Sequence, residues 1–261
     1  MNSAMAGYIG AAIGVPLVFW MLRKSFRSLS VYETSNRSLD DLAKEFSKWN
    51  NFGVICFMLL SIATGYLWWV FFSKIGQLYA TRFKDAIICV STTGVAWALP
   101  SMTAGMVSGN LLADKLLKFM LKGRVSEFVV YQNMKNKINT EKLEVPMLTF
   151  LAVVTFVMFL MGLNWYTLFT SDEMVIRGPL SVSGNIFAYS DVSSIETAPF
   201  LLAPNGNSVR RREYLVKFFN GRHWTTNNEP TDLSEKQKTE IARLVSEKSG
   251  VPITEKKILA Y

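Results

Sequence analysis

One histidine, His223, and two cysteines, Cys56 and Cys89, leave this chain little to build chemistry from. Both cysteines fall inside apolar runs, where a thiol acts as a small hydrophobe, so they supply neither a disulfide framework nor a redox compartment. Neither Cys-x-x-Cys nor His-Glu-x-x-His occurs, which leaves no zinc pattern and no implied metal. A Gly-rich phosphate cradle and a nucleophile elbow are missing as well. Charge is also missing from the centres of the apolar blocks. Ion-coupled carriers place Asp, Glu, His or Arg inside the bundle, whereas Asp85 and Asp114 fall at block edges. These absences point to a protein that is not an enzyme and uses no cofactor, and they count against a pump or carrier.

What is present is hydrophobic length. Half of the residues are hydrophobic, more than an average soluble domain carries. Roughly 20 apolar residues in a helix cross about 30 Å of hydrocarbon, and four stretches qualify: 4–22, 52–72, 86–107 and 147–168. The first lacks the preceding basic residues of a cleaved leader and instead has Arg23, Lys24 and Arg27 after it, so it reads as a retained span. The third carries Pro100 among Thr92, Thr93, Ser101 and Thr103, which membrane helices accommodate through neighbours and hydroxyls, though a re-entrant path is the alternative. The expected fold is an all-α four-helix membrane anchor (1–168) followed by a small α+β domain (169–261).

The net charge of +8 has a topological use. Loops 23–51 and 108–146 hold six and seven Lys or Arg residues, against three in loop 73–85 and none in the N-terminal tail. Basic loops stay in the cytoplasm, so both termini are expected outside. Because the basic residues sit beside apolar blocks, nucleic acid is not an expected partner.

Two loops have their own pattern. Leu39, Leu42, Phe46 and Trp49 fall on one helical face behind Ser38 and Asp41, a capping-type start. That helix either lies on the membrane surface, with Lys44 and Lys48 at lipid headgroups, or packs on loop 108–146. Loop 108–146 begins by extending the third helix, with Lys115, Lys118 and Lys122 at the interface and Gly123 as a stop. An amphipathic stretch bearing Val125, Phe128 and Tyr131 follows. Gly10 with Gly14, and Gly105 with Gly109, form G-x-x-x-G spacings, which serve packing within the chain or a homo-oligomer.

From about residue 172 the runs become short and alternating, as in strands: "MVIRG", "GNIFAYSDVSSIET" and "EYLVKFFNGRHWTTN", with turns at Gly178-Pro179 and Asn205-Gly206. Asn220-Gly221 predicts a two-residue hairpin turn that sets Phe218 opposite His223, Val216 opposite Thr225 and Lys217 opposite Trp224, with Tyr214, Val216 and Phe218 as the core row. Ser234 with Gln237 caps a final helix whose stripe is Ile241, Leu244 and Val245, whose outer face is charged, and which Gly250 ends. Arg210, Arg211 and Arg212 read as a loop tip able to grip phosphate or carboxylate, or as a solvated loop. Trp224 is a second candidate contact.

The order "YSDVSSIE", "YLVKFFNGRHW" and a helix ending "SEKSGVPI" resembles the bacterial pleckstrin-homology-like domains attached to membrane spans. That resemblance covers about a third of the chain and implies a multi-pass bacterial inner-membrane protein with a PH-like domain. Such domains are usually thought of as cytoplasmic, whereas the loop charges place this one in the periplasm. Similarity to lipid-binding domains is fold analogy and transfers no ligand. The expected function is scaffolding or sensing of a protein or lipid partner at the bilayer. The alternatives are a membrane immunity protein against a bilayer-acting toxin and a small transporter or channel subunit.

Overall fold

A computed structural model describes residues 36–202, 208–228 and 233–257 of the chain. The expected first span, with Gly10 and Gly14, and the Asn205-Gly206 turn lie outside the described residues. Two compact units are formed. One comprises residues up to Phe72 together with Trp97–Leu160, and the other comprises Ser73–Ala96 together with the chain from Met161 onward. A single cut near residue 168 therefore does not separate them, because a segment between two helices belongs with the C-terminal part.

In the helical unit, Ser38 accepts the Asp41 amide at 3.2 Å and starts helix α1, Leu39–Ala80. The capping residues expected for a separate surface helix thus begin one continuous 42-residue helix that contains the expected span 52–72. Helices α2 (Ala98–Leu121), α3 (Val125–Asn136) and α4 (Thr140–Asn164) follow. Among the described residues, α1 and α4 are long and apolar enough to cross a membrane. The expected four-helix anchor is thus shown only in part, since its first span lies outside the described residues.

Helices α1 and α2 cross where side chains are smallest. A Cβ on Gly105 would lie 2.6 Å from the Gly65 Cα and from the Ser61 carbonyl oxygen, and one on Gly109 would lie 2.6 Å from the Ser61 backbone nitrogen. The second G-x-x-x-G is therefore spent on packing within the chain. Polar side chains reinforce the crossing: Thr64 donates to the Gly105 carbonyl at 3.0 Å and Trp68 donates to the Ser108 hydroxyl at 2.9 Å. Thr155 of α4 donates to Thr103 of α2 at 2.7 Å. Phe72, Trp97 and Phe159 pack ring against ring beside it.

The amphipathic face of early α1 has a different fate from a membrane-surface helix. Leu42 and Phe46 are buried against Leu121, Phe128 and Tyr131, with Trp49 and Val125 partly buried at the edge. Phe46 meets Phe128 edge-on at 5.8 Å and stacks on Tyr131 at 6.1 Å. Full burial of such a ring is worth about 1.5–3 kcal/mol. The packed alternative is the one formed. Outside it, Glu45 is clasped by Arg37 and Arg124, whose hydrogen bonds hold its carboxyl below the usual carboxylate range.

In the second unit, strands β1 (Ile88–Ser91), β2 (Tyr166–Phe169), β3 (Glu173–Arg177) and β4 (Asn185–Ala188) form one antiparallel sheet in that order. Strand β1 lies near the start of the stretch read as the third span. Its register pairs Ile88 with Phe169 and Ser91 with Tyr166. The expectation of a helix over 86–107 is thus corrected to strand, a short 3-10 turn at Gly94–Trp97, and helix from Ala98. The run Ile87-Ile88-Cys89-Val90-Ser91-Thr92-Thr93, β-branched at all but Cys89 and Ser91, suits a pleated, half-buried strand as well as it suits hydropathy.

The second sheet has the order β7-β6-β5-β8, made of β5 (Val192–Leu202), β6 (Ser208–Phe218), β7 (His223–Thr225) and β8 (Ile253–Glu255), with β8 parallel to β5. Helix α5, Glu235–Ser249, packs on the core. Its capping box joins Ser234 and Gln237, and Gly250 ends it in the left-handed region at φ +72°. Val90, Phe169, Met174, Phe187, Ile195, Val216, Phe218, Trp224, Ile241 and Val245 share a single apolar core, to which both sheets and α5 contribute. Helices are thus followed by a two-sheet domain with a C-terminal helix, as expected in outline.

Candidate functional site

The β6–β7 hairpin carries most of the residues singled out above, and its register differs from the expected one. Lys217 pairs with His223, Val216 with Trp224 and Leu215 with Thr225. The connection is Phe219 to Arg222 rather than Asn220-Gly221 alone: the Phe218 amide donates to the Arg222 carbonyl at 2.9 Å, and Gly221 takes φ +79°. Four residues satisfy this turn, with Asn220 accepting the Arg222 amide at 2.9 Å, so the type I′ geometry is not used. A register slip of one position moves a side chain to the opposite face.

Trp224 shows the consequence. It is 3% exposed and meets Phe169 edge-on at 5.4 Å, so it is a core residue and not a surface contact for Lys217 or a partner. Lys217 instead donates to Glu196 at 3.0 Å on the neighbouring strand, and Lys256 approaches the same carboxylate at 3.8 Å. The expected core row is present: Tyr214, Val216 and Phe218 are all buried.

Residues 210–212 lie within β6 and not at a loop tip, and Phe200 is the strand partner of Arg210. Arg212 is exposed, with its guanidinium 3.8 Å from Glu255. The side chains of Arg210 and Arg211 lie outside what the structure describes, so a three-arginine grip has no geometry behind it.

What the hairpin does present is an open groove of about 250 Å³ lined by Ser193, Leu215, Lys217, Phe218, Gly221, Arg222 and His223. Arg222 is held by the Asn185 amide oxygen at 2.8 Å. Phe219, at the tip, is 78% exposed. An exposed ring beside Lys217, Arg222 and His223 can receive an acidic group together with an apolar one. Nothing in the groove pairs a nucleophile with a base.

Beneath the same strand lies a feature that the sequence did not announce. Glu213 is fully buried and accepts from Lys238, itself 2% exposed, at 3.0 Å. Thr226 donates to the other carboxylate oxygen, and Lys238 also donates to the Arg212 carbonyl at 3.1 Å. This pair ties β6 to α5. Lys238 thus departs from the expectation of an uninvolved charged face. Its signal in the sequence is faint: one Lys, three residues before Ile241, on a helix otherwise rich in charge.

A larger cavity of about 340 Å³ lies in the helical unit, bordered by Asn50, Phe57, Asn110, Asp114, Leu117, Lys118, Phe128 and Glu144. Its polar groups answer one another: Asn110 donates to Glu144 at 2.7 Å, and Lys118 pairs with Asp114 at 2.7 Å. Among the described residues no group of three His, Cys, Asp or Glu side chains is placed to hold a metal ion. Compared with known proteins, the chain matches no family model, no curated protein and no solved structure.

Proposed function

We propose that this is a non-enzymatic, multi-pass protein of the bacterial inner membrane whose β-domain, PH-like in its two sheets and closing helix, binds or scaffolds an acidic protein partner. The observation that carries the membrane part is the pairing of β1 with β2. Residues 88–91 and 166–169 are hydrogen-bonded neighbours and so share one side of a bilayer. Phe46 and Phe128 are in contact and also share a side. With segment 52–72 of α1 crossing, those two sides are opposite, and α2 must bring the chain back. Its uncharged stretch 98–113 is about 24 Å long at 1.5 Å per residue, and Thr103 and Ser108 within it have partners on α4 and α1. The described chain then crosses three times, at α1, α2 and α4.

The basic residues orient that arrangement. The side holding 23–51 and the loop after α2 carries the larger share of Lys and Arg, which supports a β-domain outside, in the periplasm. The partner part rests on the hairpin groove, lined by Lys217, Arg222 and His223, and on the exposed Phe219 in the turn of the same hairpin.

The test uses single cysteines in a Cys56→Ser, Cys89→Ser background. Lys236→Cys on α5 should react with a membrane-impermeant thiol reagent in intact cells, while Ser126→Cys on α3 should react only after lysis. Labelling of both positions on the same side would sink the three-crossing reading. In the same cells, a photo-crosslinking residue at Phe219 should capture a discrete partner, and Arg222→Glu should abolish that adduct with the folded amount unchanged. An adduct indifferent to Arg222→Glu would remove the groove from the proposal.

A further inference from the structure

The loop between β3 and β4 is bound to the last residue of α4. The Asn164 side-chain amide donates to three carbonyls along it: Gly178 at 3.2 Å, Pro179 at 3.3 Å and Ser181 at 2.8 Å. The Ser181 amide closes the turn on Gly178 at 3.0 Å. Arg177, at the start of the loop, donates to the Val182 carbonyl at 3.1 Å and to the Tyr166 hydroxyl at 3.2 Å. Two side chains from the mouth of the loop thus hold it against the end of the apolar helix and the strand that follows.

Around this point the residues are those of a membrane–water boundary. Tyr166 stacks with Phe83 at 4.7 Å, Phe83 meets Tyr79 edge-on at 5.7 Å, and Arg82 lies over the Tyr79 ring at 5.4 Å. Aromatic rings interleaved with arginine are what an interface selects, because the ring faces hydrocarbon while its polar edge stays hydrated. The clamped loop then exposes aliphatic side chains: Leu180 is 57% exposed, Val182 74%, and Ile186 on the adjoining strand 62%. Scattered exposed aliphatics are ordinary on any surface. Two of them on a turn whose carbonyls are held by the final residue of an apolar helix, with a third on the strand beside it, are in a different position, since on the spanning reading that residue marks where the hydrocarbon ends.

We propose that the Gly178–Gly184 loop is a membrane-dipping element whose Leu180 and Val182 side chains, with Ile186 on the adjoining strand, insert among the lipid acyl chains of the leaflet on the β-domain's side. This rests on the reading that α4 crosses the bilayer. The occupant is lipid, and the recognition is apolar, so headgroup chemistry is secondary. The consequence is a fixed depth for the β3–β4 end of the domain.

The test is fluorescence quenching in liposomes of phosphatidylethanolamine and phosphatidylglycerol. Bimane is attached to Leu180→Cys, Val182→Cys, Phe219→Cys or Val153→Cys in the full chain lacking Cys56 and Cys89. Val153 is 56% exposed on α4 and reports whether that helix is in the bilayer at all. Lipids carry a nitroxide either near the glycerol or deep in the chain. The proposal expects strong quenching at 180 and 182 by the shallow nitroxide, strong quenching at 153 by the deep one, and little at 219. Quenching at 153 but not at 180 or 182 would overturn the loop proposal and leave α4 as a span. Silence at 153 would overturn the spanning reading itself. Equal quenching at 182 and 219 would mean the whole domain lies on the lipid, which also overturns a dipping loop. Since Leu180 and Val182 are exposed, their replacement removes no core contact, and none of these outcomes is confused with misfolding.

Discussion

The apolar stretches of the helical unit and the core of the β-domain are packed by different kinds of residue. Leu42 and Phe46 are buried at the start of α1, but along its apolar stretch and that of α4 large side chains are outside: Ile62 is 72% exposed, Leu59 63% and Phe156 60%. Where α1 and α2 cross, Gly105 lies against Gly65 with no room for a Cβ, and hydroxyls bridge the helices. In the β-domain Ile195, Val216 and Val245 are fully buried, and an ion pair is buried with them. Lipid tails are as apolar as leucine, so helices gain little by burying leucine and more by close backbone approach and hydrogen bonds. Water rewards burial of apolar area and penalises a lone buried charge. On the proposed membrane reading the helical unit follows the first rule and the β-domain the second, so each unit is expected to fail under a different substitution.

The largest expected effect is in the β-domain. Lys238→Met removes the cation that pairs with the fully buried Glu213 carboxylate, and breaking such a pair costs about 3–5 kcal/mol. Chemical denaturation of the full chain in detergent, followed by β-domain proteolysis, should show the loss. Adding Glu213→Leu should restore most of it, because removing both charges is often neutral. If Lys238→Met alone were silent, the pair would not be the tie between β6 and α5.

A smaller loss is expected at the helix crossing. Gly105→Ala drives a methyl to within 2.6 Å of Gly65 Cα and the Ser61 carbonyl, so the backbones must separate. Overpacking of this kind costs about 1–3 kcal/mol. Resistance to denaturing detergent should drop while β-domain proteolysis stays as in the parent. A Gly105→Ala chain that kept its detergent resistance would show that the crossing tolerates separation, and the contrast between the two units would weaken.

The two units were not equally legible in sequence. Helix α5 was fully legible because its signals are local: Ser234, Gln237, the Ile241–Val245 stripe and Gly250 lie within one short segment. The aromatic face of Leu42, Phe46 and Trp49 was legible as a face, although its partners, Phe128 and Tyr131, are remote in the chain. Strand β1 was misread as part of a span, since its partner β2 lies more than seventy residues away and hydropathy carries no pairing information. The hairpin was recognised but its register was not. A four-residue turn in place of a two-residue one carried Trp224 from the surface into the core, and with it went one candidate contact. The Asn164 clamp was invisible because its acceptors are backbone carbonyls, which every residue has.

The smallest effect is confined to alkaline pH and to the β-domain. Tyr189 is 4% exposed and donates its hydroxyl to the Thr170 carbonyl at 3.0 Å. Burial, helped by the charge of Asp172, pushes its phenol from an ordinary 10.0 up to about 12. Below pH 10 the phenol is protonated in both folded and unfolded chains, so the stability linked to the shift is fully present there. Between pH 10 and about 12 the unfolded chain releases the proton first, and stability falls as pH rises. Lysines also titrate in that window, so the informative quantity is the difference between the parent and Tyr189→Phe. At neutral pH the variant should be weaker by about 0.5–1.5 kcal/mol for the lost hydrogen bond. Toward pH 12 that deficit should shrink, as the parent alone incurs the cost of holding the phenol protonated. Asp172→Asn should shift the onset only slightly, because its charge is the lesser cause. A deficit that stayed constant across the alkaline range would mean that water reaches Tyr189 freely, and that the two-sheet core is less closed at that edge than its side chains indicate.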